Sequence, residues 1–202
     1  MSYLSDTMLA ELCEKHQLVT PYDPSRINPA SIDLALGREF VNLSNRHIRI
    51  VDAENITKEF AAPGERFNAD RISLEPGVAL LATTSERVRI PDNLIRLGDW
   101  EAPSGVHVWR QRIEACTGEL RLKSSAARNG LDHALAGWID PGFDGTLTLE
   151  LHAHRPIELL AGKCYVQLVV ATMLAAPARS YQQTGRYVGE SAVGAVLAKE
   201  DR

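Results

Sequence analysis

Cysteine is scarce in this chain, and the few cysteines stand far apart. The 202 residues include three, Cys13, Cys116 and Cys164. An odd number at such wide spacing forms neither a disulfide framework nor a cluster of metal ligands, and it indicates a reducing compartment. A small fold stabilised by several disulfide bonds is therefore excluded.

Long apolar runs are also missing. No N-terminal stretch has the apolar core of a signal peptide, and no apolar segment is long enough to span a bilayer. We therefore expect a cytoplasmic protein that does not associate with a membrane.

Positive charge is not in excess either. The chain has 22 lysines and arginines against 26 aspartates and glutamates, a net charge of −4. This balance predicts no general nucleic-acid-binding surface. It is compatible with a local basic pocket lined by Lys123, Arg128 and Arg186. No linker or internal repeat divides the sequence, so residues 1–202 are expected to form one domain.

The hydrophobic pattern predicts one short helix and then strands. Residues 5–15 are expected to be helical, because Met8, Leu9 and Leu12 recur at helical spacing after Ser5, a residue that can cap a helix. Several short strands with little helix indicate a mainly β fold, either a barrel or a double-sheet jelly roll. Glycine, proline or charged turns separate the expected strands, which are Val78–Thr83, Arg87–Ile90, Thr146–His152, Pro156–Leu160 and Cys164–Met173.

Residues 123–130 predict a tight turn that can bind an anion. Ser124 and Ser125 are good N-caps for one helical turn, and Asn129-Gly130 is a natural left-handed stop. The unpaired N–H groups of such a turn, with Lys123 and Arg128 beside them, suit a phosphate. The alternative is an ordinary capped surface turn.

The segment from Thr146 to His152 alternates with a period of two. Leu147, Leu149 and Leu151 should therefore enter the core, while the polar residues between them share the opposite face. Glu150 lies on that polar face. It is either a solvated glutamate on a strand or a catalytic carboxylate.

Three stretches of the chain resemble the signature of the dCTP deaminase family. Residues 123–131 read Lys-Ser-Ser-Ala-Ala-Arg-Asn-Gly-Leu, residues 139–145 read Ile-Asp-Pro-Gly-Phe-Asp-Gly, and residues 149–150 read Leu-Glu. Further similar stretches lie at 29–37, 90–94 and 162–168, in the family's order. The resemblance implies a distorted β-barrel of the dUTPase type, assembled as a homotrimer with sites between subunits.

The resemblance also implies hydrolytic deamination of dCTP to dUTP and ammonia, on the route to dUMP and dTTP, with Glu150 as the acid–base catalyst. Ser124 and Arg128 would support Glu150 and the attacking water, and the Ala136 carbonyl would orient that water. Arg128 would keep Glu150 ionised while burial raises the pKa of its carboxyl group. The zinc signature of other cytosine deaminases, H-x-E with P-C-x-x-C, is absent, so no zinc is expected.

Further residues are expected to bind the nucleotide on the same grounds. Asp140 would contact the deoxyribose, and Mg²⁺ would arrive with the triphosphate. A lid at about 181–202 would close over the phosphates, with Arg186 in place of the family's usual lysine and Glu190 in place of its glutamine. The expected nucleotide-binding residues are Lys123, Ser124, Ser125, Ala126, Ala127, Arg128, Asp140, Thr148, Leu149, Glu150, Gln167, Tyr181, Arg186 and Glu190.

Two features depart from the family pattern. Residues 97–120 lengthen the chain before Lys123, which predicts an inserted hairpin or loop. It would be either a surface excursion against a neighbouring subunit or a lid that alters substrate selectivity. The pair His152 and His154 shares a strand face, but two ligands without a third favour a polar strand end over a metal site.

Three functions remain open from the sequence. The first is deamination of dCTP. The second is a dUTP or dCTP diphosphatase, or a bifunctional deaminase and diphosphatase, in which Asp140 activates water against the α-phosphate. The third is a non-catalytic nucleotide-binding regulator, and inhibition by dTTP is a separate open question.

Overall fold

The computed structural model describes residues 2–43, 65–97, 100–101, 107–108, 111–134, 137–185, 187–189 and 191. The described residues form three helices, α1 (Asp6–His16), α2 (Ser124–Arg128) and α3 (Tyr181–Thr184), and a 3₁₀ turn at Pro24–Arg26. The strands are β1 (Val19–Thr20), β2 (Ile27–Asn28), β3 (Ser31–Asn42), β4 (Glu65–Asn68), β5 (Arg71–Leu74), β6 (Leu80–Arg89), β7 (Ile95–Leu97), β8 (Trp100–Glu101), β9 (His107–Val108), β10 (Gln111–Ile113), β11 (Cys116–Leu122), β12 (Leu131–His133), β13 (Trp138–Ile139), β14 (Asp144–Ala153), β15 (Ile157–Leu160) and β16 (Cys164–Thr172).

One large antiparallel sheet organises the molecule. Its main path runs β12-β14-β6-β3-β16-β11-β13, and β1, β2 and β4 pair at its sides to make ten strands. The expectation of a mainly β fold with a short N-terminal helix is confirmed. The long strand β3 lies in the middle of this order, although no strand was predicted there from the hydrophobic pattern.

The core lies on the inner face of this sheet. Leu147, Leu149 and Leu151 of β14 are all buried, as their alternation predicted. Each such side chain contributes roughly 1.5–3 kcal/mol by leaving water. Helix α1 covers part of the core with Leu9 and Leu12, which are fully buried.

Helix α1 begins where the sequence predicted. Ser5 occupies the N-cap position, but its hydroxyl bonds to the Thr7 hydroxyl at 3.0 Å instead of capping a backbone N–H. The helix ends at His16, and Gln17 turns the chain with a left-handed φ of 57°. No helix in the described part of the chain is long and apolar enough to cross a membrane.

The separation of Val78–Thr83 from Arg87–Ile90 was wrong, because both belong to the single strand β6. The register against β14 shifts between Thr146 and Thr148, so that Thr84, Ser85 and Glu86 bulge within the ladder. The Thr84 hydroxyl accepts a hydrogen bond from Leu147 N at 3.0 Å and replaces a ladder partner.

Glu86 in this bulge points inward, not toward solvent. It is 2% exposed, and its carboxylate accepts hydrogen bonds from Arg26 and, at 2.9 Å, from the backbone N–H of Ala35. Glu86 lies where the sequence predicted a charged turn, but it forms an ion pair with Arg26 within the fold. It fastens β6 to β3 and to the 3₁₀ turn.

The cysteines form no disulfide among the described residues. Burial raises the pKa of the Cys13 thiol to about 11 and that of Cys116 to about 12. Both thiols therefore stay protonated near neutral pH and act as small apolar side chains.

Candidate active site

A cleft of about 480 Å³ opens over the polar face of β14. Its walls come from β13, from the turn that follows β13, from the start of β6, and from the C-terminal segment around α3. The residues that line it are Leu43, Ala79, Leu80, Leu81, Leu120, Ala134, Gly137, Trp138, Ile139, Asp140, Phe143, Leu147, Thr148, Glu150, His152, Tyr181 and Tyr187.

Glu150 lies on the floor of this cleft. It pairs with Leu81 of β6, and its carbonyl accepts a hydrogen bond from Ala134 N at 3.0 Å, so neighbours on both sides fix its backbone. Burial raises the pKa of its carboxyl group, and the nearby charge of His152 opposes this effect. A raised pKa makes the ionised carboxylate a better proton acceptor, and the acid that forms can return the proton.

Asp140 stands at the rim of the cleft, one residue after β13. The indole N–H of Trp138 donates to the Asp140 Oδ1 at 3.2 Å, although both side chains are exposed. The chain then turns at Gly142, whose φ of +88° favours glycine. Asp140 is thus available at the rim, with its carboxylate oriented by the indole.

The C-terminal segment packs against this same turn. Tyr181 N donates to the Pro141 carbonyl at 2.9 Å, and the Gln182 side chain donates to the Gly142 carbonyl at 2.9 Å. The Tyr181 ring lies 5.7 Å from the ring of Phe143. A Cβ at Gly142 would meet Ser180 Oγ at 2.0 Å, so only glycine allows this close approach.

Helix α2 forms the turn that was predicted for residues 123–130. It spans Ser124–Arg128, but Lys123 occupies the N-cap position, and no side chain caps it. The prediction that a serine caps the turn was therefore wrong by one position. The predicted left-handed stop falls on Gly130, with φ +90°, and not on Asn129.

The side chains of α2 are available to a ligand. Ser124, Ser125, Ala127 and Arg128 are exposed, whereas Ala126 is buried against the core.

Lys123 and Gln167 belong to a polar cluster beside the start of α2. The Lys123 ammonium bonds to the carboxylate of Asp33, and Asn28 donates to the same carboxylate at 2.9 Å. Gln167 pairs with Asp33 across the ladder and accepts from the Ser31 hydroxyl at 3.3 Å. Lys123 is therefore held by an internal partner in this chain.

Within one chain, the expected site residues separate into two groups. Asp140, Thr148, Glu150 and Tyr181 meet at the cleft, whereas Leu149 is fully buried and is not among the lining residues. The second group is not among the residues that line the cleft, and its members are Lys123, Ser124, Ser125, Ala126, Ala127, Arg128 and Gln167. The expected residues Ala136, Arg186 and Glu190 lie outside the described residues.

The sheet order explains why Gln167 lies apart from the cleft. Strands β14 and β16 are separated by β6 and β3, which puts Gln167 about 14 Å from β14 along the sheet. The charged group that acts on the pKa of Glu150 within the chain is His152, not Arg128.

The sequence reasoning left Trp138, His152 and Tyr187 out of the site, yet all three line the cleft. Two of them had a usable signal. Residues two apart in a strand point to the same face, and His152 lies two residues after Glu150, as Trp138 lies two residues before Asp140. Tyr187 had no such signal, because it reaches the cleft only through the packing of the C-terminal segment. No group of three metal-ligating side chains occurs in the part of the chain that the structure describes.

Residues 95–113 contain two antiparallel strand pairs. Leu97 pairs with Gln111 where β7 meets β10, and Trp100 pairs with Val108 where β8 meets β9. Ile95, Leu97 and Ile113 of the first pair are buried in the core. The insertion expected at 97–120, and its role as a lid or a packing surface, stay predictions.

Comparison with known proteins identifies the family. A family model described as dCTP deaminase-like matches residues 3–97 and 111–173, and the unmatched residues between them include β8 and β9. The "dCTP deaminase, dUMP-forming" of Methanosphaerula palustris is 32% identical over 194 residues, which cover 93% of this chain and 90% of that protein. The proteins of the same name from Persephonella marina and Acidothermus cellulolyticus are 31% and 34% identical, over 93% and 79% of this chain and 92% and 73% of their own lengths.

A solved structure supports the fold. The crystal structure of 2'-deoxycytidine 5'-triphosphate deaminase from Agrobacterium tumefaciens superposes with a TM-score of 0.59 at 17% identity. The match covers 85% of this chain but 48% of the other, so this chain spans about half the length of that protein. Because the family model matches well over half of the chain and several relatives exceed 30% identity across most of it, this protein belongs to the dCTP deaminase-like family.

Proposed function

We propose that this protein removes the amino group of dCTP by hydrolysis of the C4–N bond, with Glu150 transferring the protons. The observation that carries this proposal is the position of Glu150 in a cleft where burial raises the pKa of its carboxyl group. Family membership supplies the substrate class, since the relatives are named dCTP deaminases. Mg²⁺ enters with the triphosphate as part of the substrate.

In the proposed reaction, the Glu150 carboxylate first takes a proton from water as its oxygen attacks C4 of cytosine. The carboxylic acid so formed protonates N3, which relieves the charge that would otherwise build up on the ring. Glu150 then moves the second proton from the new hydroxyl group to the amino nitrogen, and the C4–N bond breaks. A raised pKa suits this step because it makes the carboxylate a better acceptor of the proton from water.

Asp140 and α2 would hold the rest of the nucleotide. Asp140 at the rim would accept a hydrogen bond from the deoxyribose 3′-hydroxyl, with Trp138 orienting its carboxylate. The first backbone N–H groups of α2, which no side chain caps, and the Arg128 guanidinium suit phosphate oxygens. Gln167 lies beside them and would complete the nucleotide site.

We infer that the two groups of residues meet across a subunit interface in a homotrimer. One chain offers Glu150 in a cleft, but it leaves the exposed face of α2 outside that cleft. A ring of identical chains brings α2 of one subunit to the cleft of the next, since a head-to-tail interface repeats until the ring closes. Ser124 and Arg128 would then support the water on the neighbouring subunit's Glu150.

The product is proposed to be dUMP. The relatives bear the name "dUMP-forming", which favours the bifunctional alternative over a deaminase that stops at dUTP. This activity requires a second water to attack the α-phosphate. Asp140 is the carboxylate we propose for that step, because it is exposed at the rim and does not share the buried position of Glu150.

Product analysis tests this proposal. With dCTP, we expect ammonia and pyrophosphate in equal amounts and dUMP as the nucleotide product, measured by enzymatic ammonia and pyrophosphate assays and by ion-exchange chromatography. Parallel reactions with CTP and dUTP show whether the sugar and the base are recognised. Ammonia without pyrophosphate would restrict the function to deamination, and pyrophosphate without ammonia would contradict deamination.

Mixing two inactive variants tests the shared site. Glu150→Gln and Arg128→Ala should each be inactive alone, but after co-refolding at equal amounts about one quarter of the sites combine an intact Glu150 with an intact Arg128. We therefore expect activity to return to about one quarter of that of the unmodified protein. Mixing Glu150→Gln with Ser124→Ala should restore activity in the same way. If both mixtures stay inactive although they form mixed trimers, the two groups do not belong to different chains.

A further inference from the structure

A row of titratable side chains leads from Glu150 to solvent. His152 follows Glu150 on the same face of β14 and lines the same cleft. Asp132 of β12 is the direct cross-strand partner of His152, so their side chains lie on one side of the sheet with Cβ atoms about 5 Å apart. His154 is the next residue on that face, and its Nε2 is 3.5 Å from Asp132 Oδ2.

Exposure increases along this row. Glu150 and His152 are partly buried in the cleft, whereas the side chains of Asp132 and His154 are 54% and 72% exposed. Protons from bulk water therefore reach Asp132 directly. His152 lies between the exposed Asp132 and the carboxylate of Glu150.

The proposed deamination releases a base that can take up such a proton. Glu150 takes two protons from one water molecule and returns both, so the nitrogen leaves as neutral ammonia. Ammonia is a base that is mostly protonated at neutral pH, and while it stays neutral its lone pair can attack C4 again. A proton supplied inside the cleft converts it to ammonium and prevents the reverse step.

We propose that His152 donates this proton. The imidazolium N–H of His152 transfers its proton to the nitrogen lone pair after the C4–N bond has broken, which leaves neutral imidazole and ammonium. His152 then regains a proton from bulk water through Asp132. The sum of the steps is dCTP, water and one proton giving a uracil nucleotide and ammonium.

The surroundings of His152 suit this role. Beside Glu150, Asp132 and His154, the other titratable group close to it is His133 of β12, where burial lowers the pKa and favours a neutral ring. His133 is 8% exposed, and its Nε2 has no hydrogen-bond partner among the described residues. The cleft lining at the start of β6 is apolar and consists of Ala79, which precedes the strand, with Leu80 and Leu81.

The remaining titratable groups of the cleft come from other elements. They are Asp140 after β13 and the phenols of Tyr181 and Tyr187 in the C-terminal segment. None of them is on the row that joins Glu150 to Asp132. His152 and Glu150 also influence each other directly, because the charge of His152 lowers the pKa of Glu150.

This inference rests on the proposed deamination, and its test measures turnover and its pH dependence. His152→Gln keeps a polar side chain but has no proton to donate, so kcat for ammonia release should fall about 100-fold while KM for dCTP changes little. The alkaline fall of kcat in the unmodified protein should disappear in the variant. Added imidazole should restore part of the lost rate.

His154→Gln is the matched control. It removes a histidine from the same strand face, but it leaves Asp132 in contact with water, so kcat should stay near that of the unmodified protein. His152→Asn is a second, smaller replacement, and thermal melts confirm that each variant is folded. Unchanged kcat in both His152 variants, or a loss that imidazole does not restore, overturns the proposed role of His152. Neither result contradicts the proposed deamination. If the unmodified protein releases no ammonia, the proposed function itself is overturned.

Discussion

Replacing Glu150 with glutamine is expected to reduce ammonia release from dCTP by about 10³–10⁴-fold, because the amide cannot take a proton from water. Binding of dCTP should persist, since the side chain keeps its shape and the nucleotide is held mainly by other groups. Steady-state kinetics and isothermal titration with dCTP measure the two effects separately. Loss of binding together with activity would assign Glu150 to substrate recognition instead.

The same replacement should not lower stability. Burial raises the pKa of Glu150 in the folded chain, so at pH values above that pKa the ionised carboxylate lowers the free energy of unfolding. A neutral glutamine removes this cost. We expect a melting temperature at neutral pH equal to or above that of the unmodified protein, with the difference vanishing in acid, where the carboxyl group is protonated in both states.

Glu158→Gln is the control for this pair of measurements. Glu158 lies on β15 and makes an exposed ion pair with Arg71 at 3.4 Å, away from the cleft lining. Its replacement should leave both ammonia release and melting temperature nearly unchanged. A similar loss of activity in both variants would show that carboxylate replacement in general, and not the loss of Glu150, impairs the protein.

Glu86→Ala should produce the largest loss of stability. The Glu86 carboxylate is almost fully buried and serves both Arg26 and the N–H of Ala35. Its removal leaves the buried N–H of Ala35 unpaired and takes from the partly exposed Arg26 one of its two acidic partners, the other being Asp23, which costs roughly 1–3 kcal/mol. Urea unfolding followed by circular dichroism measures the loss. Because the bulge that contains Glu86 lies against Thr146–Thr148, activity should decrease as well.

Asp70→Ala provides the contrast. Asp70 also forms an ion pair, with Arg38 at 2.9 Å, but both side chains are more than 70% exposed. An exposed pair contributes about 0–1 kcal/mol, so this variant should unfold nearly as the unmodified protein does. Equal losses in the two variants would contradict the assignment of Glu86 as an internal anchor.

Local patterns predicted much of the fold because they depend on residues close in the chain. The period of two in 146–152 placed Leu147 in the core and Glu150 on the polar face, and the structure confirms both. The pattern failed at Ser85-Glu86. A charged turn was expected to separate two strands here, but the strand continues, and Arg26, sixty residues away, pairs with Glu86. A partner that distant in the chain leaves no mark in the local sequence.

The candidate site shows the same division. Motif resemblance named Glu150, Asp140 and Tyr181, and these residues do share a cleft. It also named Arg128 and Gln167, which lie outside the lining of that cleft in a single chain. Trp138 and Tyr187 line the cleft because β13 and the C-terminal segment form its walls, which local sequence does not predict.

By itself, the sequence determined the mainly β class, the inward and outward faces of β14, the helical turn before Gly130 and the family resemblance. Each of these depends on the period of side chains along one element or on a run of neighbouring residues. The tertiary structure alone decided that His152 stands between Glu150 and the exposed Asp132, and that α2 lies apart from the cleft. Both outcomes depend on the order and register in which the strands pair, since distances between side chains on different elements are set by hydrogen-bonded neighbours and not by spacing along the chain.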